Sequence, residues 1–318
     1  MKEKQQVNII GSGVIGLTTA VLLSKNGYKV CIYTENLAKN TTSAVAAAIW
    51  FPYNAEPKEK VSKWSAFSYD YFQNLAKIPN SGVKIVPLTI IEKEIKDCWW
   101  LDAIPNKKYK KINDVNLPKD FKLGFEVLVP FIESSLFLIF LEKELEKLNG
   151  KIVQKKINSF SDLDETIPII NCSGLGAIEL CNDNKLFPVK GQIVTVAKQE
   201  NTQSIIVNYP INETGEELSY IVCRNNDIVL GGTAIINDFN TNPNPLISQK
   251  IITGCKKIMP NMHNTTIIQE KVGLRPKRTS IRLEKEGAII HNYGHGGAGF
   301  TVSWGCADAV LKLLNLKT

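Results

Sequence analysis

The residues with the plainest chemical meaning stand near the N-terminus. Val7-Asn8-Ile9-Ile10 runs into Gly11-Ser12-Gly13-Val14-Ile15-Gly16 and then into an apolar, helix-forming stretch. After a second apolar run, Lys29-Val30-Cys31-Ile32-Tyr33, comes Glu35, about twenty residues past the last glycine, where a dinucleotide-binding βαβ unit carries its acid. Each part has a task. Gly11 permits the tight turn, Gly13 lets backbone approach a pyrophosphate, and Gly16 lets the helix lie close to the strand. The helix N-terminus, at Val14 and Ile15, offers N–H groups and partial positive charge to phosphate. Glu35 accepts hydrogen bonds from an adenosine ribose and repels a 2′-phosphate. The motif does not distinguish NAD from FAD.

A second glycine cluster lies near the C-terminus. Ile289-Ile290-His291-Asn292-Tyr293-Gly294-His295-Gly296-Gly297-Ala298-Gly299-Phe300-Thr301 precedes a helix whose apolar stripe is Ala307, Val310, Leu311 and Leu314. A flat ring can lie on such a backbone, with the helix N-terminus directed at negative charge developing on it. A reduced flavin carries such charge on its N1–C2 carbonyl edge, whereas a nicotinamide does not.

The elements that must hold these residues are readable in outline. Leu17, Ala20 and Val21 predict one buried stripe on the first helix. Thr41-Thr42-Ser43 and Ala44 through Ala48 are small enough to let backbone approach a ligand, and Pro52 ends any helix there. A helix is expected over residues 60–76, strands over 83–92, and another helix over 135–148 capped by Gly150. Strands follow at 151–154 and 167–171. Residues 189–270 read as short β-branched strands with a hairpin turn at Asn225-Asn226-Asp227, hence an antiparallel sheet. The expected fold is α/β: a Rossmann-type nucleotide-binding domain of residues 1–54, 134–188 and 271–318. An α+β substrate domain, on a mixed or antiparallel sheet, is inserted as residues 55–133 and 189–270.

Bulk properties exclude several classes. The 318 residues are 44% hydrophobic and 22% charged, the composition of an ordinary globular chain with room for two domains. The net charge of +7 is spread over scattered lysines. The densest run, Lys107, Lys108, Lys110 and Lys111, interleaves Tyr109 alone, too little aromatic surface for nucleic acid. The seven cysteines are odd in number and irregularly spaced, and the three histidines lack ligand spacing. The expectation is a reducing cytoplasm with no disulfide framework and no metal. Asn8, Ser12 and the glycines interrupt any signal-peptide pattern, and no run is long enough to span a membrane.

The stretch His291–Thr301, continued by Trp304-Gly305-Cys306-Ala307, resembles the signature of the D-amino-acid oxidases. The resemblance extends through Val272-Gly273-Leu274-Arg275-Pro276-Lys277-Arg278, Ile281-Arg282-Leu283-Glu284, Ala46–Tyr53, Asn171-Cys172-Ser173-Gly174 and Pro188-Val189-Lys190-Gly191-Gln192, in family order over essentially the whole chain. It implies a two-domain FAD enzyme that oxidises D-amino acids to imino acids and reduces O₂ to peroxide. The imino acid then hydrolyses to a 2-oxo acid and ammonia. The family's carboxylate-binding arginine falls on Arg275, whose planar fork suits a bidentate grip. By residue type alone, Arg275 also reads as a solvated member of a basic loop. The tyrosine sharing that grip falls on Tyr220, and the carbonyl receiving the substrate amine on Gly297. The resemblance lays FAD across Gly11–Gly16, Glu35, Thr41, Thr42, Ser43, Ala46, Ala47, Ala48, Ser173 and the loop Gly296, Gly297, Ala298, Gly299, Phe300 and Thr301. Ile49, Phe51 and Tyr53 line the side-chain pocket. No general base is needed, so His295 reads as structural.

Two departures bear on specificity. Glu216 stands four residues before Tyr220, where many members carry a second tyrosine, and its carboxylate either faces solvent or favours basic and neutral substrates. Gly231-Gly232-Thr233 is followed by Ala234 rather than the arginine of D-aspartate oxidases. The preferred substrate is therefore a neutral or basic D-amino acid. A D-aspartate, glycine or sarcosine oxidase, a nicotinamide-dependent dehydrogenase and a non-catalytic flavin binder are the alternatives. The small-molecule substrate and O₂ are the expected partners, and a homodimer stays open. The final Leu316-Lys317-Thr318 is no peroxisomal address.

Overall fold

The computed structural model describes residues 5–52, 54–94, 98–113, 121–200, 202–207, 219–263 and 265–316. Its strands are β1 Gln6–Ile10, β2 Lys29–Thr34, β3 Val83–Glu92, β4 Tyr109–Lys111, β5 Leu123–Ile132, β6 Lys151–Gln154, β7 Ile169–Asn171, β8 Leu186–Ala197, β9 Ile205–Val207, β10 Ser219–Cys223, β11 Asp227–Gly231, β12 Ile235–Ile236, β13 Ile267–Glu286 and β14 Ile289–His295. The α-helices are α1 Val14–Lys25, α2 Thr42–Val45, α3 Lys58–Leu75, α4 Ser134–Lys147, α5 Ala177–Leu180, α6 Pro245–Ile258 and α7 Gly299–Asn315. They form two compact units, Met1–Lys84 with Ile132–Pro188 and Arg275–Thr318, and Ile85–Phe131 with Val189–Leu274.

The first unit is built on β6, β2, β1, β7 and β14 in that spatial order, all parallel, with β13 antiparallel to β14. Val7 and Ile9 of β1 and Ile32 of β2 are wholly buried. That explains their near-continuous apolar runs, since a parallel sheet is covered on both faces. The glycine turn follows from pairing: Gly11 N–H donates to the Tyr33 carbonyl at 2.8 Å, and Cys172 N–H to the Ile10 carbonyl at 2.9 Å. Three strand ends thus converge on one turn.

Three local expectations are corrected in this unit. The Leu17, Ala20 and Val21 stripe is buried as expected, but helix α1 is buried nearly all round rather than along that stripe alone, because α4 and α7 both pack against it. Its Thr18 and Thr19 hydroxyls, buried by that packing, donate to the carbonyls of Val14 and Ile15 on their own helix. The left-handed residue closing α4 is Asn149 at φ 63°, not Gly150. Gly150 instead leaves room for the buried Leu145 side chain, which a Cβ there would displace. Residues 55–84, expected in the substrate domain, belong to the first unit. Helix α3 packs on α7, where Gly305 admits the Trp64 backbone and its N–H donates to Ser68 Oγ at 2.9 Å.

The second unit orders its strands β4, β5, β3, β9, β10, β11, β8, with β12 also on β8. The hairpin β10–β11 is antiparallel, and Arg224 N–H donates to the Asp227 carbonyl at its turn. β3 and β9 run parallel, so the sheet is mixed. Ile205, Val207, Ile221, Ile228 and Leu230 point to one face and pack with Ile251, Ile252 and Cys255 of α6. Among the described residues no helix is long and apolar enough to cross a membrane.

Candidate functional site

The N-terminal turn is closed by backbone collisions that only glycine avoids. Gly11 holds φ 101°, and a Cβ there would lie 2.5 Å from the Cys172 carbonyl oxygen. A Cβ on Gly16 would strike the Gly11 carbonyl oxygen. Gly13 is the N-cap of α1 and brings no capping side chain. Ser43 supplies one from elsewhere: Val14 N–H donates to its Oγ at 3.0 Å, drawing α2 against the turn. Ser12 Oγ lies 3.0 Å from Thr34 Oγ1 and donates to the Asn36 carbonyl, fixing the end of β2. Just beyond, the exposed Glu35 faces Lys156 Nζ at 3.5 Å.

Several expected residues meet in the first unit. Gly299 opens α7 close to Val14, so that a Cβ on it would sit 3.8 Å from Val14 Cγ1. Thr301 Oγ1 accepts from Phe51 N–H at 3.2 Å and lies 3.1 Å from the Phe51 carbonyl, tying the C-terminal loop to the 46–52 segment. Ile49 and Phe51 are half-buried. Thr41 precedes α2, Thr42 and Ser43 open it, and Ala46 follows it as extended backbone, with Ala47 next in the chain. Ala48 holds φ 50°, a costly conformation for alanine, while its carbonyl accepts from Ile132 N–H at 2.9 Å. Ser173 Oγ is buried with no hydrogen-bond partner among the described residues. An orphaned hydroxyl beside a bare glycine turn at a helix start fits a dinucleotide carrying polar groups to that point.

Arg275 is half-buried in β13. Lys277, two residues beyond Arg275 on β13, pairs with His295 at the end of β14, and the one-turn helix Gly296–Ala298 follows His295 directly. Gly296 makes that turn possible at φ 55°, and Gly297 is exposed. Tyr220 lies in the second unit, half-buried on β10 opposite Gly231. Tyr53 and Glu216 lie outside the described residues.

His295 is 3% exposed, its Nε2 3.2 Å from Asn292 Oδ1, and burial pushes its pKa down to about 3. It is neutral at any physiological pH and is not placed to carry protons to solvent, in keeping with a structural role.

One bracket escaped the sequence reading. Asp183 accepts from Arg278 Nε at 2.9 Å and from the Tyr293 hydroxyl at 2.8 Å, and Arg282 Nη1 donates to the same hydroxyl at 2.9 Å. It ties β13 to β14 through Arg278, within the irregularity between Lys277 and Arg282, and through Arg282 at its far edge. Burial pushes the Asp183 carboxyl upward, but bonds from Tyr293, the Lys185 N–H and Arg278 outweigh this and hold it below the ordinary range. Nothing in the spacing of an aspartate within Asn182-Asp183-Asn184 marks it; only the folded strands bring Arg278 and Tyr293 to it. Among the described residues no cluster of His, Cys, Asp and Glu could hold a metal ion.

The family described as FAD dependent oxidoreductase matches residues 6–313. The D-amino-acid oxidase of Rubrobacter xylanophilus is 33% identical over 313 residues, covering 96% of this chain and 94% of that protein. That of Dictyostelium discoideum is 36% identical over 325 residues, covering 96% and 90%. The solved L-proline dehydrogenase from P. horikoshii, 15% identical, matches with a TM-score of 0.81 over 99% of this chain and 94% of its own, a likeness of fold.

Proposed function

Because this chain belongs to the D-amino-acid oxidase family of FAD dependent oxidoreductases, we propose that it carries out the oxidative deamination of neutral or basic D-amino acids with O₂ as acceptor. The products are a 2-oxo acid, ammonia and hydrogen peroxide. The observation that supports this reading is the Lys277–His295 pairing, which joins the strand carrying Arg275 to the strand end that runs into a glycine-built turn at a helix start. Arg275 grips the substrate carboxylate through two parallel N–H donors, and Tyr220 adds its hydroxyl. The Gly297 carbonyl accepts from the amine. Together these contacts fix which hydrogen on Cα can leave, and orientation of that kind supplies much of the rate.

FAD would be held by the Gly11–Gly16 turn, Glu35, the 41–48 segment, Ser173 and the Gly296–Thr301 loop. When bound, it supplies the two-electron acceptor for the Cα–H bond. The N-terminus of α7 contributes a fixed positive potential beside that loop. His295 stays neutral behind it. The half-buried, apolar Ile49 and Phe51 favour uncharged side chains, and Ala234 leaves no cation after Thr233 for an acidic one.

The deciding experiment is anaerobic bleaching of the yellow protein by D-alanine, D-lysine, D-aspartate, glycine and their L counterparts. Reduction by D-alanine or D-lysine, with none by the L forms, is expected. Reduction by L-alanine alone would overturn the stereochemistry, and preference for D-aspartate or glycine would reassign the substrate.

A further inference from the structure

Tyr220 owes its posture to a residue with no side chain. In the antiparallel pair β10–β11, Tyr220 stands directly opposite Gly231, so both positions project from one face of the sheet. The α6 core covers the opposite face, through Ile221, Ile228 and Leu230. On the Tyr220 face, position 231 is bare, and the tyrosine ring has moved into the vacated volume. A Cβ built on Gly231 would fall among Tyr220 Cζ, Cε2 and the hydroxyl oxygen. On the other side the ring's strand is paired through Ile206, which is buried. The ring therefore lies across its neighbouring strand instead of standing away from the sheet.

We propose that Gly231 is the positioning residue for Tyr220: the missing side chain sets the tilt that delivers the phenol hydroxyl to the substrate carboxylate. The inference rests on the assignment of Tyr220 to that carboxylate. It goes further in one respect. The atoms that a Cβ would displace are the far end of a side chain that can rotate, not backbone. An added methyl group is thus relieved by swinging the ring, at small cost to the fold and large cost to the hydroxyl's position.

The test is Gly231→Ala in the full-length holoenzyme. Flavin absorbance and the thermal midpoint should stay near wild type while KM for D-alanine rises roughly ten- to a hundred-fold, the worth of one hydrogen bond to a charged group. Tyr220→Phe should raise KM comparably. In a Tyr220→Ala background the ring is gone, and adding Gly231→Ala should change KM less than about two-fold, the additivity expected when no contact remains. An unchanged KM in Tyr220→Phe sinks the assignment of Tyr220, and this proposal with it. An impaired Tyr220→Phe beside a normal Gly231→Ala sinks the proposal alone, as does an equal penalty from Gly231→Ala with and without the ring. Should Gly231→Ala fail to fold, recovery in the Tyr220→Ala double variant supports the proposal and continued failure overturns it.

Discussion

At the N-terminal turn a Cβ on Gly11 would lie 2.5 Å from the Cys172 carbonyl oxygen, and one on Gly16 would meet the Gly11 carbonyl oxygen. At the C-terminal turn a Cβ on Gly299 would find only Val14 Cγ1, at an ordinary 3.8 Å. In sequence the two glycine clusters look alike. In the fold, Gly11 and Gly16 serve the protein's own packing, since strand, turn and helix could not close without them. Among the described residues no neighbour requires Gly299, and its open side suits a flat ligand. The comparison separates glycines that build a site from those that leave it vacant for something else.

The same substitution should therefore act with opposite sign at the two turns. Gly16→Ala is expected to cost more than about 4 kcal/mol, because backbone rather than a rotamer must yield, and to leave protein that neither melts cooperatively nor retains flavin. Circular dichroism melts will show it. Next in size is Arg275→Ala. Losing one partner of a charged, hydrogen-bonded pair should lower kcat/KM for D-alanine by roughly a hundred- to a thousand-fold, with flavin absorbance intact. An unaltered kcat/KM would remove Arg275 from the site.

Histidine 295 provides a smaller, pH-dependent effect behind the C-terminal turn. The fold holds it neutral, with a pKa near 3, whereas the unfolded chain takes up a proton near 6.5. Stability from this group is complete above pH 6.5 and declines as pH falls toward about 3, by at most about 1.4 kcal/mol per pH unit. The thermal midpoint of wild type should fall more steeply between pH 6.5 and 4.5 than that of His295→Gln. Parallel profiles would show that the imidazole is protonated in the fold. Smallest is Gly299→Ala, at the start of α7. It should raise the stability of the flavin-free protein by up to about 1 kcal/mol, as alanine does for glycine in a helix, yet weaken FAD retention. If FAD binds equally well, the open side of Gly299 is not where the ring lies.

Much of both units was legible because the signals are local. The βαβ unit announces itself through strand, glycine turn, helix and acid within one short stretch, and β2, β3, β6, β9 and the β10–β11 hairpin follow from runs of β-branched residues bounded by polar turns. The errors came where a distant element changed the rules. One buried stripe was expected on α1, but α4 and α7 cover it from several sides. Residues 55–84 carried no mark of their unit, because the contact that assigns α3 depends on Gly305, more than two hundred positions away.

By itself the sequence determined the nucleotide-binding architecture, the second glycine cluster and the residue types able to grip an amino acid. Spacing, backbone freedom and charge are properties of neighbouring residues, and a linear chain displays them directly. The tertiary structure alone decided which glycines are compulsory, how Asp183 clamps β13 to β14, and that the Tyr220 ring rests on Gly231. Those depend on collisions and hydrogen bonds between segments remote in the chain, for which no local pattern exists until the strands are paired.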